Sequence, residues 1–184
     1  VMDQYGNAVS NTYTLNFSYG SGIMIPGTGM LMNNEMDDFS SKPGIPNGYG
    51  LLGSQANSIQ ANKRPLSSMT PTIIFKDNKP YLVLGSPGGS RIITTVLQVA
   101  LNVMEHDMNV AQAVNSPRIH HQWLPEVLMM EKGFGPDTEK LLQEKGYKLY
   151  PSSTMGSVQA IIKDGEYFYG AADPRRPSSG AVAP

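Results

Sequence analysis

The stretch Gly85-Ser86-Pro87-Gly88-Gly89-Ser90-Arg91, running straight into the apolar segment Ile92 to Met104, constrains this chain more than any other part of it. A long apolar helix must be buried against a sheet or another helix, so the turn that feeds it is fixed in place. A Gly-Gly pair at a helix entry points several unpaired N–H groups at one spot, a cradle for an anion or an oxyanion. The same pair also suits a tight turn that merely caps a buried helix. Upstream, Asn33-Asn34-Glu35-Met36-Asp37-Asp38 gathers carboxylates, and Arg64-Pro65-Leu66-Ser67-Ser68-Met69 sets two hydroxyls side by side in a loop. Cradle and acidic cluster are the two halves of a zwitterion site, of a kind that suits an amino acid.

With 184 residues the chain is long enough for one domain with a substantial core. Its 14 basic and 15 acidic residues are spread along the sequence for a net charge of −1, which argues against nucleic acid or a charged membrane surface as partner. No apolar run approaches the ~20 residues of a membrane span. The absence of cysteine excludes disulfides, a thiol nucleophile and thiolate metal sites, and it fits an oxidising compartment without requiring one. His120 and His121 are adjacent, so on a strand they point to opposite faces and cannot share a metal ion. No metal or cofactor is expected. No signal peptide is evident, and Val1-Met2-Asp3 already reads as strand, so the start is expected to be processed or truncated.

Periodicity and turn residues sketch one α+β domain, strands near both ends and helices between. Val1-Met2-Asp3 and Ala8 to Asn16 are expected to form a hairpin through Tyr5-Gly6-Asn7, with Val9, Tyr13 and Leu15 on one face. Gly20 to Gly53 reads as a long loop region, with a turn around Pro43 to Gly50. A second hairpin joins Thr72-Ile73-Ile74-Phe75 to Tyr81-Leu82-Val83-Leu84 through Asp77-Asn78. The long helix, Ser90 to Glu105, is apolar on most sides and expected to be buried, and Asn109 caps a short helix that Pro117 stops. Leu128 to Glu131 reads as strand, Pro136 to Lys145 as helix with Gly146 just past it, and Val158 to Ile162 with Tyr167 to Ala171 as a last hairpin. The Pro/Ser/Gly-rich tail from Pro174 to Pro184 is expected to fray. Trp123 is expected at a layer boundary, and the eleven methionines as gap-filling core.

Several of these segments carry a family likeness. Asp3 followed by Gly6-Asn7-Ala8-Val9-Ser10 and Tyr13-Thr14-Leu15-Asn16 resembles the start of the small subunit of gamma-glutamyltransferase. Asn33 to Ser40, Asn62 to Met69, Gly85 to Thr95, Pro117-Arg118 with His120-His121-Gln122-Trp123-Leu124-Pro125, and Asp173-Pro174-Arg175 continue the likeness in order over essentially the whole chain. The Gly-Ser-Pro-Gly-Gly-Ser-Arg form resembles bacterial members.

The resemblance implies an N-terminal-nucleophile hydrolase, an αββα sandwich shared with a large subunit cut from the same precursor, and residues 1–184 as a single small-subunit domain. It implies cleavage of glutathione and other gamma-glutamyl amides through a threonine acyl-enzyme, with water, amino acids or dipeptides as acceptor. In the family the nucleophile opens a segment Thr-Thr-His-aromatic-Ser placed just before the Val-x-Asp seen here as Val1-Met2-Asp3, so that threonine is expected just upstream of Val1. Its α-amino group, with a free pKa near roughly 8, can act as base.

Residue by residue, Thr14 resembles the second threonine, which orients the nucleophile, and Gly88 with Gly89 resembles the oxyanion hole. Asn16, Glu35 and Asp38 resemble the group that holds the substrate ammonium, and Asp37 is expected only to support the loop. Ser67 and Ser68 resemble the carboxylate-binding pair, aided by an arginine of the large subunit. Tyr49, in a lid of about residues 43–54, resembles the aromatic cover of the glutamyl pocket that reaches Asn16. Arg91 and Lys63 suit either pinning the serine loop or a subunit interface. A periplasmic or secreted location follows from the family alone. The alternatives are a non-catalytic glutamyl-binding paralogue and an acylase of glutaryl or polyglutamyl substrates.

Overall fold

The computed structural model of the chain describes residues 1–183. Its strands are β1 (Thr72–Lys76), β2 (Lys79–Gly85), β3 (Ile119–His120), β4 (Leu128–Met130), β5 (Leu149–Pro151), β6 (Gln159–Asp164) and β7 (Tyr167–Ala172). The helices are α1 (Ile92–Met104), α2 (Val110–Asn115) and α3 (Pro136–Glu144). An antiparallel sheet runs in the order β1-β2-β6-β7, and a second sheet, β3-β4-β5, pairs β4 with β5 in parallel. The class is α+β.

Local chemistry sets most of these boundaries. Asp77 and Asn78 both take positive φ, 51° and 60°, the two-residue turn whose twist matches its strands, and β1 and β2 form the expected hairpin around it. Gly165, at φ 56°, turns β6 into β7. Asn109 accepts from the Gln112 N–H at 2.9 Å while Gln112 reaches back to the Asn109 N–H, a reciprocal cap on α2. Past α3, Gly146 at φ 92° donates to Gln143 O and Tyr147 donates to Leu142 O, closing the helix with the left-handed residue that glycine supplies.

The core lies between the first sheet and the helices. Ile92, Val96, Val99, Ala100 and Val103 recur at helical spacing on α1 and meet Leu82 and Leu84 of β2, Ala160 and Ile162 of β6, and Val110, Ala113 and Val114 of α2. Each fully buried Val, Leu or Ile contributes roughly 1.5–3 kcal/mol. The outer side of α1 departs from expectation. Ile93, Leu97, Leu101 and Met104 form a second apolar stripe that stays exposed, without cover from the described residues.

Other expectations are corrected. Ala8 to Asn16 is not a strand: Met2 and Ala8 form one isolated bridge, and residues 9–15 have no sheet pairing. Its alternating apolar side is not covered by this chain, with Val9 and Tyr13 both exposed. The segment docks by a side chain instead. Ser10 Oγ donates to Leu84 O at 2.8 Å and accepts from Thr72 N at 3.1 Å. Trp123 is exposed at φ 70° rather than set at a layer boundary. Met130 and Met155 are buried, but Met24, Met30, Met32, Met36 and Met104 lie on the surface, the first three on a hairpin arm closed by Ile25 N to Met30 O and Met32 N to Ile23 O. The tail is held at Arg175 and again at Ser179, whose hydroxyl accepts from Gln159; Pro184 lies outside the described residues.

The arginine that anchors the tail belongs to a buried ionic cluster. Arg118 donates to Asp173 Oδ2 at 2.6 Å, to Val114 O at 2.8 Å and to Met155 O. Arg175 grips Glu131 through two parallel bonds of 2.9 and 2.6 Å and reaches Asp173 Oδ1 at 3.2 Å. Glu131 also accepts the backbone N–H groups of Arg118 and Met155. Burial pushes the Asp173 carboxyl up, but the N–H groups of Arg175 and Val158 and the Arg118 guanidinium outweigh it and hold the pKa below its ordinary value. Stability from a carboxyl held low is present above its unfolded pKa and lost as pH falls through the lower folded value. In the full-length protein, Asp173→Ala leaves the Arg118 guanidinium buried without its anion, at an expected cost of about 3–5 kcal/mol. Urea titration at neutral pH should give a lower midpoint, and the gap to wild type should narrow in acid.

Candidate active site

The site forms where β2 hands over to α1. Gly88 lies at φ 145° and Gly89 at φ 58°, backbone that side-chain-bearing residues rarely adopt, and a single 3-10 turn over Gly89–Arg91 leads into the helix. No backbone carbonyl among the described residues accepts the N–H of Gly88 or Gly89, as expected of the first positions of a helix. The floor of this turn is fixed from below. Ser86 Oγ donates to Pro87 O at 2.7 Å and accepts from Ser157 N at 2.9 Å. Gly156 lies so close to it that a Cβ there would meet Ser86 Oγ at 2.6 Å.

A lid closes over the turn. Rungs from Gly44 N to Gly53 O and from Asn47 N to Leu51 O make residues 44–53 a small hairpin. At its tip, Asn47 Oδ1 accepts from Tyr49 N and Leu51 N, and Gly48 N donates to Asp37 Oδ2, each at 3.0 Å. The Tyr49 ring lies against Gly89, where an added Cβ would fall 2.4 Å from Cε1. Its hydroxyl donates to the backbone oxygen of Asn16 at 2.7 Å, and the ring packs edge-to-face with Phe17 at 5.3 Å.

The carboxylates stand on a 3-10 turn over Glu35–Asp38. Asn34 stitches that turn to the segment before it: its carbonyl accepts from Asn16 Nδ2 at 3.1 Å, its side chain accepts from Phe17 N, and its N–H donates to Leu15 O. Burial, then the neighbouring Asp38, pushes the Glu35 carboxyl above its ordinary pKa, and burial, then Asp37, does the same to Asp38. Glu35 Oε1 is buried with no hydrogen-bond partner, and no ion pair among the described residues involves either group. Burial and the same three carboxylates raise the Tyr49 phenol.

One open groove of about 1830 Å³ is lined by Thr14, Asn16, Asp38, Tyr49, Ser67, Ser68, Gly88 and Gly89 among others. Glu35, on the same 3-10 turn as Asp38, does not line it. Asn16, at φ 73°, ends its segment, and its N–H donates to Thr14 Oγ1 at 2.9 Å. Ser67 Oγ accepts from Met69 N, which leaves its O–H to donate elsewhere. Lys63 pins the loop before the serines through Ala56 O and Ser58 O, whereas Arg91 points to the Met129 sulfur. Sequence reading missed Asn34 and Asn47, whose role as backbone stitches leaves no signal beyond a polar residue in a loop. Among the described residues no cluster could hold a metal ion. The groove therefore offers the Asp38 carboxylate for a cation, the Ser67 and Ser68 hydroxyls for an anion, and the free backbone N–H groups of Gly88 and Gly89.

Comparison with known proteins meets this geometry. The family model described as gamma-glutamyltranspeptidase matches residues 1–183. The glutathione hydrolase proenzyme of Escherichia coli K12 is 60% identical over 177 residues, covering 95% of this chain and 30% of that protein. A Helicobacter pylori gamma-glutamyltranspeptidase T380A mutant superposes with a TM-score of 0.93 at 57% identity, covering 96% of this chain and 97% of that one. The Pseudomonas nitroreducens gamma-glutamyltranspeptidase complexed with L-DON gives 0.93 at 45%, covering 100% and 97%. The chain spans about a third of the length of the curated relatives it matches.

The unpaired carboxylates have a measurable signature. A carboxyl whose folded pKa is raised binds more protons in the native state, so it favours folding at low pH and opposes it as pH rises through that value. Glu35→Gln is expected to raise the thermal midpoint of the unliganded protein at pH 7, with no gain near pH 3, in calorimetric melts at the two pH values.

Proposed function

This chain belongs to the gamma-glutamyltranspeptidase family, and from that premise we propose that it is the small subunit of an enzyme that cleaves glutathione and other gamma-glutamyl amides and passes the glutamyl group to water, an amino acid or a dipeptide. The observation that carries the proposal is the meeting, in one groove, of the unpaired Asp38 carboxylate, with Glu35 on the same turn, two adjacent serine hydroxyls and two free glycine N–H groups under a tyrosine lid.

On this reading the substrate's α-ammonium sits against Asp38, with Glu35 on the same turn and Asn16 Oδ1 as third acceptor, since Asn16 Nδ2 is already used on Asn34. The α-carboxylate meets the Ser67 and Ser68 hydroxyls and an arginine of the large subunit. This places the γ-carbonyl near the turn at Gly88 and Gly89. The nucleophile is the threonine that the family resemblance puts just upstream of Val1, and Val1 lines the groove. Its hydroxyl oxygen bonds to the carbon of the γ-carbonyl while its α-amino group takes the proton, and the Gly88 and Gly89 N–H groups hold the oxyanion. Collapse expels the amine, which leaves with that proton, and gives a glutamyl ester; water or an acceptor amine then attacks it and frees the threonine. Thr14 orients the nucleophile, and the Tyr49 lid keeps water out while the ester stands.

The large subunit of the same precursor supplies the other half of the sandwich. Its natural seat is the face of the β1-β2-β6-β7 sheet opposite the helices, where Val83, Ile161 and Phe168 border the groove. An interface above ~2,000 Å² is expected for such an obligate pair. No helix is long and apolar enough to cross a membrane, and a periplasmic or secreted location is part of the proposal.

Hydrolysis of a chromogenic gamma-glutamyl anilide by the full-length protein tests the assignment. Asp38→Ala removes a charged partner of the ammonium worth about 1.5–3 kcal/mol, so KM should rise about 10–100-fold. Thr14→Ala should lower kcat by a comparable factor. In wild type, KM should climb as pH falls through the raised carboxyl pKa values, because the protonated acids no longer attract the cation. Full activity in both variants would overturn the roles of Asp38 and Thr14.

A further inference from the structure

The lid and the oxyanion turn are tied together by a side chain that plays no part in the chemistry above. Gln122 lies in the loop after β3, and all four of its hydrogen-bonding positions are engaged. Its Oε1 accepts from Ser90 Oγ at 2.9 Å and stands 2.9 Å from His120 Nε2. Its Nε2 donates to Leu124 O at 3.2 Å and reaches Tyr49 O at 3.4 Å, beside the lid glycine Gly50. The two carbonyls require an N–H donor and fix which way the amide faces. Oε1 is therefore turned toward Ser90 and His120, and His120 must carry its proton on Nε2.

The second ring nitrogen closes the chain of contacts. His120 is buried, and its Nδ1 stands 2.7 Å from Thr94 Oγ1 in the first turn of α1. A neutral ring with Nε2 protonated accepts there from the threonine hydroxyl, and burial, which pushes the imidazole below its usual pKa, favours that neutral form. The ring is locked between α1 and Gln122, and Gln122 is locked in turn. Ser90 directly follows Gly89, and the Tyr49 ring lies on Gly89, so Gln122 holds two residues that flank this groove-lining glycine.

We propose that Gln122, oriented by His120, is a positioning residue that holds the Gly88–Gly89 turn and the Tyr49 lid in one register, so that the oxyanion donors are aimed only while the lid is seated. The inference rests on the function proposed above, and it predicts a defect in the transition state rather than in substrate binding. A misplacement of about 1 Å at such a site can cost on the order of 100-fold in rate.

Two measurements on the full-length protein test it. In anilide hydrolysis, with active sites counted by covalent trapping, Gln122→Ala and Ser90→Ala should each lower kcat about 10–100-fold with KM changed less than about 3-fold. The double variant should be hardly worse than either single one, because both break the same linkage. Additive losses, a change in KM alone, or unchanged kcat would overturn the proposal. Hydrogen–deuterium exchange needs no turnover and so separates this inference from the functional one. In Gln122→Ala, amides in residues 44–53 and 85–92 should exchange faster while those of α2 and β6 keep their wild-type protection. Unchanged lid exchange, or faster exchange throughout the chain, would sink the positioning role even if the wild type proved active.

Discussion

Two guanidinium groups in the interior organise this fold. Arg118 and Arg175 sit between the carboxylates of Glu131 and Asp173, and further N–H groups donate to Val114 O, Ser116 O and Met155 O, while Arg118 Nε is buried without a partner. Those carbonyls lie at the end of α2 and in the segment before β6, while the acids close β4 and β7. Four elements from both sheets and the helix layer thus converge on one cluster. An interior ion pair is weak evidence of net stability, since desolvation opposes the attraction, but it strongly disfavours any arrangement that leaves one member unpaired. In this chain it determines where Met155 lies, hence Gly156 and Ser157, hence the Ser86 floor beneath the glycine turn.

Elements written in local chemistry were legible in the sequence. The Asp77-Asn78 turn, the Asn109 cap, Pro136 and Gly146 around α3, and the turn at Gly165 all require only neighbours along the chain. The misreadings share a different cause. Alternation over Ala8 to Asn16 satisfies the pattern of a strand, but among the described residues only Ala8 finds a bridge partner, in Met2. The outer stripe of α1 and the surface methionines are apolar without being covered, which pattern alone cannot distinguish from core. Arg118 and Asp173 are 55 positions apart, and nothing in their separate contexts announces that both are buried.

The site was legible in a similar proportion. Residue types and family likeness drew attention to Thr14, Asn16, Asp38, Tyr49, Ser67, Ser68, Gly88 and Gly89, and the fold gathers these eight around a single groove, which Glu35 does not line. The side chains that hold them were not foreseen, because Asn34 and Gln122 bond to backbone at points that only folding brings near, and Asn47 adds to its own turn a bond to Asp37 O. Amides serve this use well: one side chain carries both donor and acceptor, and no charge has to be removed from water.

The lid hairpin has its own internal rungs, Gly44 to Gly53 and Asn47 to Leu51, separate from the few bonds that dock its tip on Asp37, Asn16 and Gln122. Undocking therefore need not melt it. A preformed flap returns to its seat by swinging, without first having to refold. The clock for sealing the groove is then set at the docking contacts, and the flap's own backbone can tolerate sequence change so long as its rungs survive.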